Sequence, residues 1–252
     1  MTLPAELAGA RRVLAVQPHY DDNDIGAGGT LAALADAGAE LHYLTVTDDR
    51  VGVLDASLSE TEAREGLRRE QAKAAAEIGV AGQAWLDLSD AGDWTQGEAR
   101  RGVIEQIRRV RPDLVVSVDP WLPTEAHGDH LKTGRAVAEA VMWHRFPRLV
   151  TRADVDERYR AEAPGHRVAA LALYFTVEPT VFVDVGATRE RKHRALDAYR
   201  LQFEPEGLAF LHRGLEARER QWAEGRGFSH GEPIRVLRPH ELHCHFDPAL
   251  RR

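Results

Sequence analysis

A single cysteine, Cys244, stands in the 252 residues, so neither an intramolecular disulfide nor a cysteine-based zinc site is open to this chain. Long apolar runs are missing too. No stretch approaches the roughly 18 residues that cross a bilayer, which predicts no membrane partner. An excess of basic charge is absent: 33 Lys and Arg against 40 Asp and Glu leave a net charge of −7. That balance argues against a nucleic-acid surface, since phosphate binding needs a positive field. The opening residues, MTLPAELAGARR, lack the basic-then-apolar order of a secretory signal, so cytoplasmic residence is expected. Internal repeats and low-complexity linkers are also lacking. What the chain does have is an apolar content of 43%, enough for a sizeable core, and a length that fits one domain over residues 1–252.

Strand and helix patterns alternate through at least the first 145 residues, which predicts an α/β fold with a doubly wound, mostly parallel sheet and helices on both faces. Apolar strands are expected at 12–17, 40–47, 84–88 and 114–118, and two more at 168–177 and 180–185. Helices are expected at 26–38, 60–78, 98–109, 130–144, 189–202 and 207–224. Residues 147–165 are polar, mixed in sign and unreadable by pattern. The segment from 225 onward, with Pro233, Pro239 and Pro248, reads as a tail.

The chain is organised around Pro18 to Thr30, PHYDDNDIGAGGT. It leaves the first strand and enters a glycine-rich helix start, the usual place for a ligand in an open α/β sheet. Four groups there bind metals or move protons: His19, Asp21, Asp22 and Asp24. A second stretch, His127-Gly128-Asp129-His130, follows the fourth strand and should lie at the same sheet edge. Hydrolytic zinc usually takes three ligands from His, Asp and Glu and keeps one position for water. His19 and Asp22 stand three apart in a tight loop, and His130 is the best third ligand, so one Zn²⁺ per chain is expected. Asp21 points away from its neighbour Asp22 and is free to take a proton from metal-bound water. His127 is placed either to stabilise an oxyanion or to protonate a leaving amine, and Asp129 is expected to hold His127 in one tautomer and raise its pKa.

These motifs resemble those of the LmbE-like, or PIG-L, family of zinc-dependent N-acetylglucosamine deacetylases. The family's His-Pro-Asp-Asp, continued by Ile-Gly-x-Gly-Gly-Thr, is similar to His19-Tyr20-Asp21-Asp22 and Ile25-Gly26-Ala27-Gly28-Gly29-Thr30. Its His-Pro-Asp-His is similar to His127 to His130. Arg111-Pro112-Asp113, Val183-Asp184-Val185, Lys192 and Gln202 continue the likeness over roughly residues 12–203. The resemblance implies a Rossmann-like fold and hydrolysis of the acetamide of an amino sugar. It implies metal binding by His19, Asp22 and His130, and catalysis by Asp21, His127 and Asp129. There are departures. Tyr20 replaces proline, Asp24 stands where many relatives have glutamate, and Thr47-Asp48-Asp49-Arg50 replaces Thr-x-Gly-Glu. Asp24, Asp48 and Arg68 are the expected substrate-side groups, with Asp49 beside them.

Other readings compete. A nucleotide site is disfavoured, because Gly26, Gly28 and Gly29 lack the fingerprint spacing and follow an acidic loop that would repel a pyrophosphate. A zinc hydrolase of another amide or ester is a second reading, and a non-catalytic sugar-binding protein of the same fold a third. In the tail, His240, His243 and His245 cluster around Cys244. They read either as a second metal site or, more readily, as residues at a subunit contact, with 203–252 as C-terminal helix and tail. The family resemblance implies a homo-oligomer, a hexamer among the possibilities.

Overall fold

A computed structural model describes residues 3–244. Its seven strands are β1 (Arg12–Gln17), β2 (Glu40–Thr47), β3 (Val80–Leu88), β4 (Leu114–Val118), β5 (Ala170–Tyr174), β6 (Val181–Asp184) and β7 (Gly231–Leu237). They form one sheet in the order β3-β2-β1-β4-β5-β7-β6. The pairs from β3 through β5 are parallel, and β7 runs antiparallel to both β5 and β6. The helices are α1 (Ala5–Ala8), α2 (Asp22–Asp36), α3 (Glu60–Ile78), α4 (Gln96–Val110), α5 (Gly128–Trp143), α6 (Ala153–Glu162), α7 (Arg189–Leu196) and α8 (Pro205–Ala223).

Both faces of the sheet are covered, as the unbroken apolar run of β1 requires. Val13 and Ala15 face one core, which holds Leu31 and Leu34 of α2, Leu67 of α3 and Leu196 of α7. Leu14 and Val16 face the other, with Ile104 and Ile107 of α4 and Val137 and Val141 of α5. The chain moves from β1 outward to β2 and β3, then returns to place β4 on the other side of β1. The crevice beyond β1 and β4 is therefore a switch point, where open α/β sheets bind ligands. The loops carrying His19 and His127 both open into it.

Several elements differ from expectation. The helix expected from residue 26 begins at Asp22 and breaks at Ala27, whose φ is −145°. The break exposes backbone donors, and a carboxylate from β7 caps them. Glu232 accepts from Gly29 N at 3.1 Å and from Thr30 N at 2.7 Å. Buried Lys192 sits 2.7 Å from the same carboxylate. The glycines here serve packing. A Cβ on Gly26 would stand 2.2 Å from the Tyr174 ring, and one on Gly28 would stand 2.9 Å from Lys192.

β7 lies where a tail was expected. It contains Pro233, and proline cannot donate to a ladder. The structure accommodates it because β7 divides its partners: residues 231–234 pair with β6, and residues 235–237 with β5. Pro233 thus has a paired strand on one side only. Residues 147–165 contain α6, which buries Val155 and Tyr159 and is attached through a buried ion pair between Arg108 and Asp156 at 2.5 Å. The helix expected over 189–202 stops at Leu196.

Candidate metal centre

The loop after β1 is held by its own strand end. Gln17 Nε2 donates to Tyr20 O at 3.0 Å, and Gln17 Oε1 accepts from Asn23 N at 2.8 Å. Tyr20, in the family's proline position, is fully buried, and its N–H donates to Asp49 Oδ2 at 2.9 Å. This brackets His19, Asp21 and Asp22 in a rigid turn. Within it, Asp22 Oδ2 accepts from His19 N at 3.0 Å and lies 3.1 Å from His19 Nδ1.

His130 arrives from the first turn of α5. Its Nε2 stands 3.4 Å from Asp22 Oδ1, so the two oxygens of Asp22 face two different imidazoles. Ligand atoms of His19, Asp22 and His130 all lie within 4.8 Å of one another. A tetrahedral ion with bonds of about 2.0–2.1 Å spaces its ligands by about 3.3 Å, and the contacts of Asp22 with the two imidazoles, 3.1 Å and 3.4 Å, lie near that value. The charge fits as well. Asp21, Asp22, Asp49, Asp90 and Asp129 are all buried around His19. Burial, then Asp22 and Asp49, push the Asp21 carboxyl well above its usual range. Burial lifts Asp49 to about 7. Burial works against charge on His19, but contacts with Asp129, Asp22 and Asp90 outweigh it and raise the imidazole's pKa. A divalent cation suits this crowd of buried carboxylates.

Two further donor groupings share His19: His127 with Asp129, and Asp49 with Asp90. Asp21 lines the cleft beside the proposed ligands, with His127, Asp49, Asp90, Val51 and Gln202. His127 is exposed at the helix start, and burial followed by the charges of His19 and His130 lowers its pKa.

The structure gives four of the expected catalytic and substrate-side residues partners that the sequence did not indicate. Asp129 does not hold His127 through its carboxylate. Instead the Asp129 backbone N–H donates to His127 Nδ1 at 3.3 Å. The Asp129 carboxylate accepts from Ala91 N at 2.8 Å, pairs with Lys132 Nζ at 3.0 Å and lies 3.8 Å from His19 Nε2. Asp24 is fully buried and takes no part in the cleft. Tyr43 donates to its Oδ1 at 2.8 Å, and the Tyr199 hydroxyl meets its Oδ2 at 2.6 Å. Asp48 accepts from Asp90 N at 3.0 Å, which ties two loops together. Arg68 pairs with Asp87 and stacks over Trp85 at 4.6 Å.

Asp90, Glu125 and Gln202 were not singled out as site residues. Asp90 Oδ1 lies 3.3 Å from His19 Nε2. Glu125 Oε2 lies 3.0 Å from His130 Nδ1. Gln202 Nε2 donates to Asp49 Oδ2 at 2.8 Å. Gln202 carried a signal only through the family likeness, Asp90 opens an Asp-Ala-Gly-Asp stretch that reads as a turn, and Glu125 carried none. His240 and His243 line a separate cavity of ≈ 660 Å³ with Trp143 and Phe146, at the far end of α5. A helix of 16 residues puts that cavity about 24 Å from the site. Among the described residues, no three-donor metal grouping includes either histidine, and His245 lies outside those residues.

A doubly wound sheet whose carboxyl edge gathers two histidines and a shared aspartate, with a second carboxylate beside them, has the build of a metal-dependent hydrolase. The chain belongs to the PIG-L family, described as GlcNAc-PI de-N-acetylase, whose model matches residues 14–141. It is 37% identical over 195 residues to a diacetylchitobiose deacetylase of Thermococcus kodakarensis, covering 77% of this chain and 70% of that one. The crystallised N,N'-diacetylchitobiose deacetylase of Pyrococcus horikoshii superposes with a TM-score of 0.85 at 30% identity, covering 97% of this chain and 90% of that chain. A 1D-myo-inositol 2-acetamido-2-deoxy-alpha-D-glucopyranoside deacetylase of Kineococcus radiotolerans is 30% identical over 176 residues, covering 55% of this chain and 48% of that protein.

Proposed function

We propose that this protein hydrolyses the acetamide of an N-acetylglucosamine-type sugar, with diacetylchitobiose as the leading substrate, and that it holds one zinc ion through His19, Asp22 and His130. The observation that carries the reading is the convergence of those three side chains beside Asp21, which lines the cleft and is not among the three. The likeness to diacetylchitobiose deacetylases over most of both chains supports the substrate.

His19, Asp22 and His130 would hold a divalent cation, which would supply Lewis-acid chemistry toward the acetamide carbonyl and water at neutral pH. The chain supplies the rest. Asp21 takes the proton of the attacking water and returns it to the departing amine, so the sugar leaves with a free amino group and the acyl group leaves as acetate. His127 faces the oxyanion side. Its Nδ1 accepts the Asp129 backbone N–H, which places the ring proton on Nε2. With its pKa lowered, the ring is neutral near pH 7 and donates a hydrogen bond to the developing oxyanion. Asp49 and Gln202, joined on the cleft wall, offer acceptors and donors to sugar hydroxyls.

The test measures acetate and free amine released by metal-replete protein from diacetylchitobiose, N-acetylglucosamine and an N-acetylglucosaminyl inositol. Release from the first at the highest kcat/KM is expected. No release from any of them by protein that retains its zinc would shift the reading to another amide or an ester.

A further inference from the structure

We infer that Glu125 is the positioning residue of this centre, setting both the tautomer of His130 and the start of the helix that carries it. This rests on the reading of His130 as a metal ligand. The two oxygens of Glu125 do separate work. Oε1 accepts the backbone N–H of His127 at 2.7 Å, at the N-cap of α5. Oε2 stands 3.0 Å from His130 Nδ1. That contact lies off the N–H axis, yet this nitrogen is buried and has no hydrogen-bond partner among the described residues. The opposite nitrogen, Nε2, faces Asp22.

The chemistry follows from that orientation. A neutral imidazole carries one ring proton, and it ligates through the bare nitrogen. A carboxylate only accepts, so Glu125 keeps the proton on Nδ1 and leaves Nε2 with its lone pair toward Asp22. Two rings stack on His130, that of His127 at 5.0 Å between centroids and that of Phe175. Phe175 lies parallel to His130, with 5° between the planes and 6.3 Å between centroids. Phe175 itself has φ of 55°, a backbone conformation that bulky residues seldom adopt. The face of His130 is therefore covered and its edge is met by a carboxylate. Glu125 also links the His130 ring to the backbone of His127, so one side chain aligns the ligand and the oxyanion-side group.

Glu125→Gln is the informative variant. The amide has one acceptor where the carboxylate has two. It satisfies either His127 N or His130 Nδ1, and turns an N–H toward the other. The experiment measures zinc affinity by competition with a chromophoric chelator, for wild type, Glu125→Gln, Glu125→Ala and His130→Ala. Thermal melts of the chelator-treated proteins run alongside. We expect Glu125→Gln and Glu125→Ala to weaken zinc binding by about 10- to 100-fold, as loss of a carboxylate behind a ligating histidine does. The metal-free melting temperature of Glu125→Gln should stay close to wild type. If His130→Ala loses zinc while both Glu125 variants bind it as tightly as wild type, the positioning role is overturned and the metal reading stands. If His130→Ala binds zinc like wild type, the metal reading itself fails. If Glu125→Gln weakens zinc only as far as it lowers the metal-free melting temperature, Glu125 is structural and the inference is wrong.

Discussion

Asp22 grips His19 twice, accepting its backbone N–H at 3.0 Å and standing 3.1 Å from its Nδ1 with the same oxygen. The other oxygen is left for His130. This arrangement separates Asp22 from Asp21, its neighbour of the same type, and makes their roles distinguishable.

Asp22→Asn should weaken zinc binding, because a neutral amide oxygen is a poorer ligand than a carboxylate. Asp21→Asn should keep the zinc and lose kcat by roughly 100- to 10,000-fold, the usual worth of positioned proton transfer. KM should change little, since the lost interaction belongs to the transition state. Zinc content and steady-state kinetics on both variants decide this. Zinc lost from Asp21→Asn and retained by an inactive Asp22→Asn means that the roles are exchanged.

Replacing His130 with alanine should remove zinc outright, as two ligands hold it poorly against buffer. Elemental analysis after gel filtration reads the result. Equal zinc in variant and wild type removes His130 from the ligand set.

Glu232→Ala should destabilise the fold by about 1–3 kcal/mol, the range for leaving buried donors unsatisfied. The substitution uncaps Gly29 and Thr30 at the break in α2 and leaves Lys192 with Glu219 alone. Urea unfolding at fixed zinc measures it. A loss under about 1 kcal/mol, typical of an exposed pair, would mean that the network matters little.

Acid should destabilise the protein partly through His144. Burial, then His166 and Arg108, lower its pKa to about 3 in the folded chain. The unfolded chain keeps the ordinary value near 6.5 and so binds more protons between those limits. Stability from this group is complete above about pH 6.5 and declines as pH falls toward 3, by at most about 1.4 kcal/mol per pH unit. His144→Asn removes the titration. It should flatten the dependence of the urea midpoint on pH in that window, and an unchanged slope would reject the assignment.

Local pattern determined much of this protein. β1, β2, α3 and β4 lie at the bounds their apolar runs predict. The ends of α3 follow from signals within reach of a few residues, the Ser59–Glu62 capping box and Gly79 at φ of 94°. The convergence of His19, Asp22 and His130 was legible because each lies in the loop or helix start that follows a parallel strand, and such connections meet at one sheet edge. Tertiary structure decided the rest. Asp24 carries the same chemistry as Asp21 and Asp22 and stands two residues further on in the first turn of α2, yet Tyr43 and Tyr199 meet it in the core. Asp129 turned from His127 toward Ala91 and Lys132. β7 was hidden because Pro233 is tolerated only where its partners divide between two strands. Asp90 and Glu125 became part of the site only once folding brought them to the two histidines. Periodicity records which face of a segment is buried. It holds no record of which distant group a carboxylate will meet, because that depends on register and loop path, and these are set by packing across the whole sheet.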